Sequence, residues 1–567
     1  MNLFVVGRSR DGWAADAALR ALLQRLPFFP GREPDTWSDG RVALAWVSHP
    51  PDRVGGVSYV ATEPRRFALF GGRPFRWSEH GGTEGRAVLD ASFYLDGIPE
   101  GLDGRWCAAR YDGTELELAS DAMGAYPLYT ADSGGMRWWS NNPELVRSLH
   151  GGSTTSEAVL ASVLGGGWSL TGDPVWSAVR RVPPRARAPM LGGDGFDAER
   201  TVERLTAATR ALGDWPGRPC VVPVTGGRDS RVVLAAALAA GIDFTTTTGA
   251  VPGSRDLEIG TALADAAGVT HEQIAGDPGG TLPGDWRRAA ELLELTAAGT
   301  STLADAAGYP FGPRPGPLPV WQSGQGGEIA RTYYGLGDGL SRDALVDRLY
   351  RAFVGRRPGR SELLSDPGAE LVRAEVGRFV DQQVGAGVSP IEVPDRFYLE
   401  RRMGTWAGPT HGCVEYVRDT TSPLWSERVV GEMLRLDPRE RAAERFHAEL
   451  LRRLAPQLME IPYEDGQLPG EQPSPLAARL RRLRTLARKA AAEARRRAPS
   501  VRRGPDPFDA VLPDVRALVL SQPDHPAWPV LDRARVERVL GANAAELDTM
   551  SRYYVWRLAT VFSMQMR

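Results

Sequence analysis

The chain has 567 residues, of which 42% are apolar and 24% charged, and its formal charge is −2. At ~150 residues per domain this implies several domains or two large ones, and the composition excludes fibre formation or disorder for most of the chain. The near-neutral balance excludes bulk attraction to nucleic acid or membrane, so any polyanion site has to be local.

At the N-terminus the apolar run 1–6 meets Arg8 too early for a signal peptide. No stretch approaches the ~18 apolar residues of a membrane span. Cys107, Cys220 and Cys413 lie far apart without a C-x-x-C pair, so neither a disulfide framework nor a cysteine zinc site is encoded. These features predict a protein that is not exported and resides in the reducing cytoplasm. Lys489 is the single lysine, which removes most lysine chemistry.

Residues 1–191 alternate short β-rich runs with Gly, Pro and Asp turns. Strands are predicted at 42–47, at 67–70 before Gly71-Gly72, at 116–118 before Asp121, and at 136–139; the clearest helix is 15–26. A break near 192–197 separates this unit from a second one, 200–567, where strand, glycine turn and helix follow in succession before long Arg/Leu/Ala/Glu helices beyond Leu340.

The strongest chemical signal is the apolar run 219–224 followed by Thr225-Gly226-Gly227-Arg228-Asp229-Ser230-Arg231 and a helix ended by Gly241. Two glycines let the backbone turn its N–H groups inward, and the helix that follows adds its positive N-terminal end, an arrangement suited to phosphate. Asp229 belongs at the rim, where a carboxylate helps only if a cation joins it to the phosphates. A strand at 244–248 and a helix at 256–267 complete a doubly wound unit with its crevice at the strand ends. Neither a Walker A loop nor G-x-G-x-x-G is present.

T-G-G-x-D-S after an apolar strand resembles the S-G-G-x-D-S pyrophosphate loop of the ATP pyrophosphatases. Ser323-Gly324-Gln325-Gly326-Gly327-Glu328 resembles the L-S-G-E-G-A-D-E segment of the asparagine synthetase family, which includes β-lactam synthetases and lasso peptide cyclases. The stretch 121–129 is similar to D-x-x-G-x-x-P-L-Y of that family's glutaminase domain, and 411–415 with 422–430 is similar to its H-G-x-E and P-F-L-D-x-R patterns. The resemblance implies a layered αββα glutaminase-like domain over 1–191, followed by an ATP-pyrophosphatase synthetase domain over 200–567 with a helical extension. It implies ATP and Mg²⁺ as cofactors, with Thr225, Gly226, Gly227, Asp229, Ser230, Ser323, Gly324 and Gly326 holding the nucleotide. Asp229 and Glu328 would hold the metal. Glu415 would take the proton of an attacking amine, and Arg231 and Arg331, with Arg228 a further candidate, would supply positive charge.

The chain departs from that pattern at several points. A class II glutaminase uses a terminal cysteine at residue 2, where this chain has Asn2. The oxyanion-hole Asn of F-N-G corresponds to Gly71. The synthetase-site lysine, expected near 458–466, is missing, and Glu415 and Asp419 compete for the position of the family's catalytic Glu. The implied activity is adenylation of a small-molecule or peptide carboxylate, followed by transfer to ammonia or an amine in natural-product biosynthesis without glutaminase activity. Intramolecular closure to a lactam and a non-catalytic binding module are the alternatives.

The stretch 397–402 with Trp406 forms a helical stripe assigned to core packing, and His271 is read as a packed residue. Finally, 476–503 carries eleven Lys or Arg against one Glu. It reads as a solvated basic helix, with docking of an acidic peptide or carrier protein as the competing reading; without base-stacking aromatics, no nucleic acid is expected.

Overall fold

A computed structural model describes residues 2–8, 12–78, 82–152, 154–185, 195–213, 215, 217–250, 254–275, 285–306, 316–355, 363–471, 483, 487, 508–564 and 566. The fold is mixed α/β, with two antiparallel sheets and one parallel sheet. The first antiparallel sheet has the spatial order Arg180–Arg181, Tyr129–Ser133, Met136–Ser140, Asn2–Arg8, Ala43–Ser48, Asp35–Ser38. The second runs Val60–Glu63, Arg66–Trp77, Leu102–Tyr111, Leu116–Ser120, with Thr83–Glu84 paired to Arg66–Trp77.

Alternation along the strands of the second sheet explains how it is used. Phe67, Leu69, Cys107, Ala109 and Tyr111 share a core with Leu3, Phe4 and Val5 of the first sheet. Ala68, Phe70, Trp106 and Ala108 point the other way, into a separate core with Val88, Ala91 and Tyr94. The glycine pair 71–72 does not end the strand as the sequence suggests: pairing continues through Gly71↔Cys107 and Gly72↔Trp106 to Arg76↔Leu102. The two glycines instead admit a close neighbour, considered below.

The parallel sheet has the order His271–Ala275, Thr245–Ala250, Cys220–Pro223, Val320–Gln322, Asp419–Thr421. The chain enters at the central strand, Cys220–Pro223, steps outward twice, then crosses back to Val320–Gln322 on its other side. Cys220 and Val221 pair with Val320 and Trp321. The strand order therefore reverses between these two strands, and such a switch point opens a crevice at the carboxyl ends. Helices follow as the sequence suggests: Asp229–Ala240 closes on Gly241 at φ +64°, and Arg255–Ala267 is capped by Ser254 and closes on Gly268 at φ +67°.

A third core joins helix Glu157–Gly166, through Leu160, Val163 and Leu164, to Phe353, Val376, Val515 and Trp556 of the helices after Leu340. Residues before the break at 192–197 thus pack with the C-terminal helices as well as with their own sheets. Residues 186–194, which include the first three positions of that break, and nearly all of 476–503 lie outside the described residues. No helix among the described residues is long and apolar enough to cross a membrane.

Candidate functional site

The loops after Cys220–Pro223 and Val320–Gln322 meet at the switch point. An ideal Cβ at Gly324 would sit 2.5 Å from the Ser230 nitrogen, and one at Gly327 would sit 2.5 Å from Asp229 Oδ1. No larger residue fits at either place, so the glycines of the second loop exist because the first loop lies on them. Gly326, at φ +97°, turns the chain into the short helical turn Gly327–Arg331 that carries Glu328 and Arg331.

Asp229 opens its helix and is the hub of the site. Arg331 Nη2 donates to its Oδ2 at 3.0 Å, and His447 Nε2 lies 2.7 Å from its Oδ1. Burial pushes the Asp229 carboxyl up, but the His447 hydrogen bond and the Arg331 charge outweigh it and hold the group below its ordinary value. Glu328 Oε2 accepts from the Tyr398 hydroxyl at 2.7 Å and from the Gly326 N–H at 3.0 Å. Burial and the neighbouring Asp229 charge push the Glu328 carboxyl up. Asp229 and Glu328 are two largely buried carboxylates that repel each other beyond the carboxyl ends of the central strands, a repulsion that a cation would relieve.

Mg²⁺ takes oxygen ligands and is commonly held by one or two carboxylates together with substrate phosphates and water. Asp229 and Glu328 supply such a pair. Among the described residues no group of three or more His, Cys, Asp or Glu forms a complete protein cage.

In the loop 225–231, Thr225 is exposed and Ser230 half-buried. Their hydroxyls lie 3.2 Å apart, the Gly227 N–H donates to Thr225 Oγ1 at 3.1 Å, and the Gly226 N–H donates to Asp256 Oδ1 at 2.8 Å. Ser323 donates its N–H to the Thr421 carbonyl at 2.8 Å, tying the second loop to the last strand.

The arginines divide. Arg331 faces Asp229. Arg228 instead binds Glu444 at 2.5 Å and Asp465 at 2.8 Å, with its guanidinium 4.3 Å from the Tyr463 ring centre. Arg231 is fully buried and donates to the carbonyls of Leu458, Ile461 and Pro462 beside the same ring. These two fasten 458–467 to the loop and do not point charge into the crevice. Glu415, 2% exposed, faces the N-terminal unit in an ion pair with Arg105. It lines a cavity of about 20 Å³ with Tyr126, Asn141 and Thr296, room for about one water.

Several contributors carry no sequence signature of their own. His447 lies on Arg445–Leu454, a helix whose preceding residue, Glu444, has φ +58°. Tyr398, in the stripe assigned to core packing, begins the π-helix Tyr398–Ala407. Four residues on, Arg402 lies over the rings of Tyr333, 5.1 Å, and Trp406, 4.2 Å. Thr332, directly after Arg331, has φ +47°. Of the three non-glycine residues with left-handed backbone among the described residues, two flank this site. Such strain costs ~1–3 kcal/mol each and gathers at functional sites, as π-helical turns do. His271 packs as expected, its Nδ1 3.0 Å from Thr246 Oγ1.

In the N-terminal unit the space beside Gly71 and Gly72 is filled. A Cβ at Gly71 would lie 2.8 Å from the Tyr126 hydroxyl oxygen, and one at Gly72 would strike the same ring. Cys107 is fully buried, and burial pushes its thiol well above the ordinary range; Cys220 and Cys413 are buried as well. Asn2 pairs in its strand with Ser48. A scan against protein-family models and a search of curated proteins found no match for this chain.

Proposed function

We propose that the chain is an ATP-dependent, AMP-forming amide ligase of the asparagine synthetase type, with a doubly wound synthetase unit and an αββα unit that has lost glutaminase chemistry. The observation that carries this reading is the contact of loops 225–231 and 323–328 at the switch point, bringing Asp229 and Glu328 together. Asp229 and Glu328 would hold Mg²⁺, which supplies charge neutralisation at the phosphates when bound. The N-terminus of Asp229–Ala240 offers N–H donors to the pyrophosphate, with Thr225, Ser230 and Ser323 hydroxyls beside it, and the Gly226 and Gly227 N–H groups would have to exchange Asp256 and Thr225 for phosphate oxygens. As the acid attacks the α-phosphate, negative charge grows on the departing pyrophosphate, which these donors would stabilise, with Arg331 adding positive charge beside Asp229. Acyl transfer from the adenylate to ammonia or an amine then forms the amide and releases AMP.

The buried thiols and the Tyr126 ring support the loss of glutaminase activity, so ammonia or a substrate amine supplies the nitrogen. Cytoplasmic residence and a small-molecule or peptide acid belong to the same proposal. A non-catalytic module is favoured by one observation: both oxygens of Asp229 are already taken by Arg331 and His447. ATP–pyrophosphate exchange with pools of carboxylic acids separates the two. Acid-dependent exchange is expected, and none with any pool, at any Mg²⁺ concentration, removes the ligase reading.

A further inference from the structure

Strand Leu102–Tyr111 of the N-terminal unit reaches into the C-terminal unit at two points. Asp103, 5% exposed, accepts from the Ser426 hydroxyl at 2.6 Å and from the Glu427 N–H at 2.9 Å. Its Oδ2 also accepts from Trp77 Nε1 at 2.7 Å. Helix Glu427–Arg435 has no cap from its own Ser426 side chain, so a carboxylate from the other unit does that work. Two residues on, Arg105 donates to the carbonyls of Ala125, 2.7 Å, and Gly408, 3.2 Å, and pairs with Glu415.

The segment gripped in this way touches the second loop. Trp425, adjacent to Ser426, lies where a Cβ on Gly326 would stand, 2.6 Å from its Cδ1. The Ser422 hydroxyl donates to the Gln325 carbonyl at 2.8 Å. His411, on the helix that Arg105 and Glu415 hold, stacks on Trp425 with ring centres 5.0 Å apart. A short packed route therefore runs from Asp103 through Ser426 and Trp425 to Gly326, whose N–H holds Glu328 Oε2.

We propose that the N-terminal unit is a positioning element of the candidate site, with Asp103 and Arg105 as positioning residues that set the place of Glu328 through 408–427. In its catalytic consequence the inference rests on the ligase reading above; the mechanical coupling does not.

The test is hydrogen exchange of the full chain without nucleotide, comparing wild type with Asp103→Ala and Ser426→Ala. Exchange in 322–331 is expected to quicken ~10-fold or more while helix Asp229–Ala240 keeps its protection. Asp103→Asn, which retains an acceptor oxygen, is expected to restore part of that protection. If Asp103→Ala fails to fold, losing protection in Asp229–Ala240 too, Ser426→Ala removes a single hydroxyl and gives the reading. In Asp103→Ala the KM for Mg·ATP is expected to rise ~10-fold with kcat changed less. Unchanged exchange over 322–331 in the folded variants overturns the coupling. Wild-type protein that neither binds nor turns over ATP removes the ligase reading and leaves the exchange result standing.

Discussion

Two interiors of this molecule began from similar materials and ended differently. Around Gly71 and Gly72 the space beside the strand is filled by the Tyr126 ring, the nearest thiol is buried, and the Tyr126 hydroxyl accepts from Asn141 Nδ2 at 3.3 Å. At 225–231 and 323–331 the glycines admit another loop, and two carboxylates, an arginine and a histidine converge at a mouth where Thr225 is exposed. Backbone strain is concentrated at the second place, in Thr332, Glu444 and the π-helix. Glycine therefore tells little until its neighbour is known: in one unit it makes room for a side chain that closes a cavity, in the other for a loop that builds a site.

The sharpest way to break this contrast is to remove one charge at the open site. Asp229→Asn and Glu328→Gln are each expected to lower pyrophosphate release at least ~10³-fold, about 4 kcal/mol of barrier, while circular dichroism stays native. Wild-type turnover in either would show that the two carboxylates serve only the fold.

At the closed interior the expected effect is on stability. Tyr126→Ala should cost about 3–5 kcal/mol in denaturant unfolding, as for other large buried aromatics, and should leave glutamine hydrolysis at the blank level. A variant that released glutamate would mean that Tyr126 merely blocks a working glutaminase.

Tyr398→Phe sharpens the comparison more gently. It removes one hydrogen bond to the Glu328 carboxylate, so KM for Mg·ATP should rise ~10-fold or more, while the unfolding free energy falls by no more than the ~1.5–3 kcal/mol such a bond contributes. No change in KM would return Tyr398 to the packing role its stripe suggests.

Acid tests the joint between the two regions. Burial holds His411 well below 6.5 and His49 down to about 2, so both are neutral in the folded protein. The unfolded chain binds protons first as pH falls through ~6.5, so their stabilisation is complete above that value and is lost below it. Between pH 6.5 and 5.5 the loss should be ~1 kcal/mol per histidine. His411→Phe keeps a ring against Trp425 and should flatten the slope over that window; an unaltered slope would mean that His411 titrates as in the unfolded chain.

Much of the candidate site was legible because its residues are local. Thr225 to Ser230 and Ser323 to Glu328 are two short runs, each after an apolar strand, and both lie where a switch-point crevice needs them. The helix expected at 256–267 is Arg255–Ala267, and the strand expected at 136–139 is Met136–Ser140. The partners of those runs were not legible. His447 reaches Asp229 from 218 positions away and Tyr398 reaches Glu328 from 70; no spacing rule links residues joined only by tertiary packing. Tyr398 was hidden by its company, since Phe397, Leu399 and Met403 beside it are core. Arg231 misled in the opposite sense: it stands in the motif, yet its guanidinium is spent on three carbonyls.

Calorimetric titration of ATP into the intact protein, with and without Mg²⁺, bears most directly on whether Asp229 and Glu328 form a nucleotide site. Saturable binding by the wild type that requires Mg²⁺ is expected, with its loss in Asp229→Asn. Binding that is indifferent to Mg²⁺ and equal in the two proteins, or none in the wild type, would contradict the account.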